Sequence, residues 1–487
     1  MSRLDQSQAP YFEALRRYVA VPRAAFHTPG HIHGRGAHPD FVEAFGAAAL
    51  ALDVSPGLGN LDGMAGSALE HAEALAADAY GADRSWFLVN GSSAGNQIMV
   101  TAVCHPGDVI LTSRNTHKSI IAALVFAGAR PVYLAPELDP ESHIAHGVTP
   151  ATVAAGLDRH PEARAVLIVS PTYYGACSDV AGIAEVAHAH GAPLLVDEAW
   201  GPHFPFHPDL PTGSLAAGAD AAVTGVHKLL GAFLQASVLH VRGDLVDHDR
   251  FDVVSKMVLS TSPSSMLRAS LDIARMQMAT DGQRLLSRVI ELANEARLAI
   301  GAHERLSCLD KGLIGQHGVT GFDPTRLCVN VSATGHTGYE VERLLAAENV
   351  TMELSDFANV LANITIGHRW EDLERFVTSI TAIADRLPPA GLDPRGFVDF
   401  ALGHIPEQVL SPAEAFHARQ ERVPLLQAAG RVSAELAATY PPGIPVVVPG
   451  EQLTEALVDY LATQVAAGCR IVGPQDPRLE TIRVVCE

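Results

Sequence analysis

From Trp86 to Val241 the chain alternates short apolar runs with longer stretches patterned for helix. The runs are WFLV (86–89), VILTS (109–113), PVYLA (131–135), AVLIVS (165–170), APLLVDEA (192–199), AAVTG (221–225) and SVLHV (237–241). Runs this short and this rich in β-branched residues read as buried strands. Between several of them, as over Val180 to His190, apolar residues recur at helical spacing. Such alternation predicts an α/β fold with a mostly parallel sheet covered by helices on both faces. Polar residues at the carboxyl ends of the strands then face one common crevice.

Outside this block the pattern changes. Residues 1–60 read as a helix followed by a Gly/Pro-rich loop, and Asp281 to His303 as a long helix. Residues 326–385 carry a second, smaller α/β pattern: RLCVNVSA, a helix from Gly338, VTMELSD, then NITIG. PPAGLDP (388–394) reads as a linker, 411–438 as helix, YPPGIPVVVPGE (440–451) as turn and strand, and 452–467 as helix. The expected divisions are 1–60, 61–290, 291–387 and 388–487, with smaller α/β units following the large one.

Composition narrows the function classes. Hydrophobic residues make up 48% and charged residues 18%, which suits large buried cores and excludes a disordered chain. The net charge of −20 argues against nonspecific binding to nucleic acid or to an anionic membrane. No apolar stretch reaches the roughly 18 residues a membrane helix needs, and Met1 to Ala20 lacks a signal-peptide core. A cytoplasmic location is expected. The six cysteines are scattered without a C-x-x-C, as reduced thiols would be. His27, His31 and His33 crowd together, but in a Gly/Pro-rich loop with no Cys or carboxylate among them, so no metal is expected.

Four strand ends hold residues suited to chemistry. NGSSAGNQ (90–97) follows the first run and precedes a helix pattern, so its backbone N–H groups offer a phosphate cradle or a plain helix cap. Asp197 ends an almost wholly apolar strand, where a carboxylate must find a partner. Lys228, beside His227, follows the next strand end, 31 residues on from Asp197, in apolar surroundings that would make its amine nucleophilic. His117 lies in SRNTHKS (113–119) after a third strand. Together they offer a phosphate cradle, an aromatic plate, a buried anion and an amine. Pyridoxal 5'-phosphate (PLP) needs that set.

With these residues the ordered segments FHTPGH (26–31), ADRSWFLVNGSSAGNQ (82–97), SRNTHKS (113–119), SPTYYG (170–175), VDEAWGPHFPFHPDLP (196–211), HKLLGAFLQASVLH (227–240), TSPSSMLRASLD (261–272), ELSDFANVL (353–361) and YPPGIPVVVPGE (440–451) resemble the Orn/Lys/Arg decarboxylase family. These are fold-type I PLP enzymes, similar in fold to aspartate aminotransferase, and the resemblance is to the short form without an N-terminal wing domain. It implies decarboxylation of arginine, lysine or ornithine to the amine, as in polyamine biosynthesis. Lys228 would be the Schiff-base lysine, with His227 next to it near the phosphate or the reacting centre. Asp197 would partner the pyridine nitrogen and His117 would stack on the ring. Ser92, Ser93 and Ala94 match the phosphate loop, with Trp200, His203 and Thr224 as further cofactor contacts. Thr261 and Ser262 match a segment that reaches the phosphate from the neighbouring subunit, implying a homodimer with shared active sites, or a higher oligomer built on it. Glu451 and His27 are the expected substrate contacts, Glu451 for the distal cation.

Two positions depart from the family pattern. An acidic pair usual after PGL is replaced in PGLGNLDGMAG (56–66) by Gly59 and Asn60, and Ile32 stands where a lysine follows HTPGH. Entrance residues help select the substrate. The departures therefore keep open an oxidase, a transaminase or an aldolase-like reaction, or a catalytically silent PLP-fold binding protein.

Overall fold

All seven apolar runs become strands of one sheet: β1 (Arg84–Leu88), β2 (Val109–Ser113), β3 (Arg130–Leu134), β4 (Ala165–Val169), β5 (Leu194–Glu198), β6 (Ala221–Thr224) and β7 (Ser237–Val241). The structure is a computed structural model and describes residues 4–58, 60–62, 65–388, 405–440, 444–466 and 469–486. The strand order is β1-β7-β6-β5-β4-β2-β3. The pairs β2–β3, β2–β4, β4–β5 and β5–β6 are parallel, and only β7 runs against its neighbours. Alternate residues feed two cores. Leu167, Leu195 and Val223 lie in the core on one face, and Val166, Ile168, Leu194 and Val196 in the core on the other. Burial on both faces explains why these strands read as continuous apolar runs rather than alternating ones.

Two helices leave the sheet beside the crevice. Helix α1 (Gly91–Val103) follows β1, and helix α2 (Lys118–Ala127) follows β2. Gly95 lets α1 lie flat on the sheet, since a Cβ there would stand 2.3 Å from Val223 Cγ2. The long helix α3 spans Ser265–Gly301. It begins well before Asp281 because the Ser264 side chain accepts from Leu267 N and caps it there. It passes unbroken through the expected division at 290. Its first half packs in one core through Ala269, Leu271 and Ala274, and its second half in another through Val289, Ala293 and Ile300.

The second α/β pattern forms a four-stranded antiparallel sheet, β8 (Ser307–Cys308), β9 (Arg326–Asn330), β10 (Leu354–Ser355) and β11 (Asn359–Asn363), in the order β8-β9-β11-β10. The last strand is NVLAN rather than the expected NITIG. Val360 and Leu361 are fully buried, while Thr365 to His368 close a turn. Residues 411–438 also depart from expectation. Pro412–His417 is α-helical and Leu425–Gln427 forms a single 3-10 turn, while Gln420–Pro424 instead pairs with the distant strand Thr481–Val485. Pairing with a strand far along the chain outweighed the local helical pattern. Residues 455–466 are helical as expected. The expected linker lies outside the described residues from 389 to 394, as does Gly59 of the entrance loop. Among the described residues no helix is long and apolar enough to cross a membrane, and no group of His, Cys, Asp and Glu has metal-binding geometry.

Candidate active site

Parallel strands bring Asp197, at the end of β5, next to Val169 of β4 and Val223 of β6. The chain then turns Lys228 back toward the same end. A cleft of about 390 Å³ opens there, lined by Ser92, Ser93, His117, Asp197, Trp200 and Lys228, with Asn96 and His227 also on its wall. The sheet thus brings together all four expected catalytic residues.

One end of the cleft is the start of α1. Asn90 precedes the helix and makes no side-chain cap; Gly91 N donates to Gln235 O at 2.9 Å, which leaves the N–H groups that follow it in the first turn of a 13-residue helix for another acceptor. Ser92 Oγ lies 3.1 Å from Ser237 Oγ. Gly225 keeps this corner open, because a Cβ there would meet Ala199 O at 2.6 Å and Ser92 Oγ at 3.2 Å. Donors of this kind suit a phosphate.

Asp197 is buried. Its Oδ2 accepts from Asn96 Nδ2 at 2.7 Å and its Oδ1 from Ala199 N at 3.1 Å. Lys228 Nζ sits 3.7 Å from the centroid of the Trp200 ring. Burial pushes its amine down to about 8, against the attraction of Asp197. Much of the amine is then neutral near pH 8, as a nucleophile requires. Arg326 Cζ is also close to Trp200, 4.0 Å from the ring centroid.

The two histidines have opposite proton arrangements. His117 Nδ1 receives the Ser119 backbone N–H at 3.2 Å, so that nitrogen is an acceptor and a neutral ring carries its proton on Nε2. Burial pushes its pKa down to about 4. His227 Nδ1 lies 2.9 Å from the Ala236 carbonyl, which can only accept, so Nδ1 carries the proton and Nε2 is the lone pair. Burial lowers the His227 pKa as well.

Other expected residues lie elsewhere. Thr224 and His203 are buried outside the cleft wall, Thr224 within 3.2 Å of His240 Nε2 and His203 within 3.2 Å of Asp323. Ala94 is buried within α1. His27 is half-exposed, 3.3 Å from Tyr18 Oη, and Thr261 and Ser262 are exposed in the loop before α3. Glu451 lies furthest from its expected setting. It is fully buried, its Oε2 3.1 Å from Arg114 Nη2 and 2.8 Å from Val448 N, and it lines no part of the cleft. A buried carboxylate needs a cation beside it, and Arg114, immediately after β2, supplies one. Sequence reasoning did not single out Asn96 and Tyr173, which line the cleft, or Ser119 and Arg326, which contact His117 and Trp200. Asn96 lay inside the quoted NGSSAGNQ segment, and Arg326 stood as a lone cation heading an apolar strand.

An open α/β sheet with an amine, an anion and a helix N-terminus without a side-chain cap at its strand ends is the arrangement expected of a fold-type I enzyme. The solved structures agree. The chain superposes on the constitutive lysine decarboxylase of Escherichia coli with a TM-score of 0.83 at 23% identity, covering 99% of this chain and 82% of the other. It superposes on lysine decarboxylase LdcF of Francisella novicida with a TM-score of 0.83 at 22% identity, covering 98% and 81%. The family models are more specific. Residues 9–372 match the Orn/Lys/Arg decarboxylase major domain, and residues 398–473 match the C-terminal domain of the same family. The arginine decarboxylase of Bacillus subtilis is 39% identical over 488 residues, covering 99% of each chain. That of Bacillus anthracis is 38% identical over 494 residues, covering 100% of this chain and 99% of the other. The chain belongs to the Orn/Lys/Arg decarboxylase family and is an amino-acid decarboxylase.

Proposed function

We propose that this chain decarboxylates a basic L-amino acid with PLP held on Lys228, and that arginine is the substrate. The observation that supports it most is the cleft itself, where a desolvated lysine, a buried aspartate and an uncapped helix N-terminus converge at the strand ends. The choice of arginine follows the arginine decarboxylases, which are similar over the full length at 38–39% identity.

The cleft fits the cofactor. Ser92, Ser93 and the start of α1 would hold the phosphate, Asp197 the pyridine nitrogen and Lys228 the aldehyde carbon. PLP, when bound, supplies the electron sink for the pair left behind as carbon dioxide departs. Asp197 would serve that sink by keeping a proton on the ring nitrogen. His117 is neutral, so it adds no charge to compete for Asp197. A proton must then replace the lost carboxylate. The neutral His227 ring offers a lone pair at Nε2 and no proton there, and the Lys228 amine, which exchanges its proton near pH 8, is the proton carrier in this reading. Thr261 and Ser262, exposed and away from their own cleft, are in keeping with a role in a second copy of the chain. The test is carbon dioxide release from PLP-loaded protein given arginine, lysine and ornithine separately, with oxygen uptake followed in parallel. Release from arginine without oxygen uptake is the expected result. Release from lysine or ornithine alone would replace the substrate, and oxygen uptake or keto-acid formation would overturn the reaction.

A further inference from the structure

Asp197 and His117 stand on the wall of one cleft and are joined by two buried side chains. The Asn96 amide gives one hydrogen to Asp197 Oδ2 at 2.7 Å and the other to Ser119 Oγ at 2.9 Å. Having accepted there, the Ser119 hydroxyl directs its own hydrogen to His117 Nδ1 at 2.8 Å. The Ser119 backbone N–H approaches the same nitrogen. Asn96 and Ser119 are 1% and 5% exposed, so water does not substitute readily for either. The amide orientation follows from the chemistry. Turned over, Asn96 would set Oδ1 against the Asp197 carboxylate, acceptor against acceptor. In the orientation adopted, Oδ1 is buried without a hydrogen-bond partner, and the two donors are both used.

We propose that Asn96 is a positioning residue whose two amide hydrogens tie the Asp197 carboxylate to the Ser119 hydroxyl and so, together with the Ser119 backbone N–H, hold His117 neutral with its proton on Nε2. The groups acting on the ring are Asp197, Lys228 and Lys118. The two lysines and burial oppose a second proton, and Asp197 favours one. Asn96 occupies Oδ2 of Asp197 and turns the Ser119 hydroxyl toward Nδ1, which withdraws the site where that proton would bind. The consequence for catalysis rests on the reading above: the positive charge facing Asp197 is left to the cofactor nitrogen.

The test is nitrogen-15 NMR of histidine-labelled, PLP-loaded protein, with the His117 signals identified by their loss in His117→Gln. In the wild type, Nδ1 is expected without a proton and Nε2 with one, unchanged from pH 8 to pH 5. Asn96→Asp keeps the shape and removes the donor to Ser119, the new carboxyl sharing one proton with Asp197. The Ser119 hydroxyl then turns to the new carboxylate, and His117 gains an Nδ1 proton or titrates higher by about one pH unit, a tenfold change in proton affinity. A new carboxylate could raise the ring's affinity by charge alone, so the substitution is repeated in a Ser119→Ala background. The relay requires the Asn96→Asp effect to fall by at least half there. An equal shift in both backgrounds, or a wild-type ring protonated on Nδ1, overturns the proposal. Asn96→Ala adds no charge and covers an Asn96→Asp that fails to fold; with it, an unchanged His117 tautomer and titration overturn the proposal. None of these signals depends on turnover, so failure of the decarboxylase reading appears separately in the carbon dioxide assay.

Discussion

Two buried charged sites lie near the same strand ends and are put to different use. Around Lys228 the amine rests on an aromatic face in an open cleft. Around Glu451 the carboxylate meets Arg114, and both are shut away, with 0% and 1% of their surface exposed. Burial shifts both, Lys228 down to about 8 and Glu451 up to about 7. A perturbed pKa therefore does not separate chemistry from architecture. What separates them is access and partner. Glu451 is committed to Arg114 and to Val448 N, and Arg114 Nη2 also reaches the Val446 carbonyl at 3.0 Å, so the pair joins the C-terminal segment to the large sheet. Lys228 faces space in which a small molecule fits.

The sharpest way to break this contrast is Lys228→Ala. It should lower turnover by at least about a thousandfold and remove the lysine-dependent cofactor absorbance. Carbon dioxide release at a normal rate would end the assignment. Asp197→Ala should follow, with some cofactor still bound and kcat down by about a hundredfold or more; full activity would take Asp197 out of the mechanism. Glu451→Ala should act on stability instead. It strands the buried Arg114 guanidinium, at a cost of about 3 kcal/mol, read as a lower denaturation midpoint at unchanged slope. The folded fraction should keep its kcat, and a selective rise in KM for the basic substrate would restore Glu451 to the substrate site.

Smaller effects come from pH. The folded pKa of Glu451, about 7, lies above the ordinary value of 4.5, so the folded chain holds more protons between those values. The Glu451 contribution to stability is then fully present below about pH 4.5 and is lost as pH rises through about 7. Glu451→Gln should flatten that part of the stability profile relative to wild type, and parallel profiles would refute it. Lys228 runs the other way. Its folded pKa is depressed, so its neutral amine accumulates as pH rises through about 8. The rate at which PLP-free protein takes up the cofactor should rise over the same range, and a flat profile would contradict a desolvated lysine.

The legible parts of the sequence were those governed by local pattern. Seven buried strands announced themselves as apolar runs because both faces of the sheet are covered. Asp197, Lys228 and His117 stood out as polar residues following such strands. The C-terminal third was harder to read. Gln420–Pro424 takes its conformation from Thr481–Val485, and no local pattern records a partner that far along the chain. The partner of Glu451 was illegible for a related reason. The place of Glu451 in PGE showed an acid after a strand, but not the Arg114 side chain waiting for it.

The sequence alone determined the α/β sheet, the order of its strands along the chain and which residues end them, since period and burial are written locally. It also determined the family through ordered motifs. The tertiary structure alone decided proton positions and charge pairing. It placed the proton of neutral His117 on Nε2 and that of His227 on Nδ1, because each depends on whether a backbone N–H or a carbonyl faces the ring. It joined Asp197 to His117 through Asn96 and Ser119, and gave Glu451 to Arg114. Hydrogen bonds and ion pairs act over about 3 Å between groups far apart in sequence, so only the folded chain specifies them.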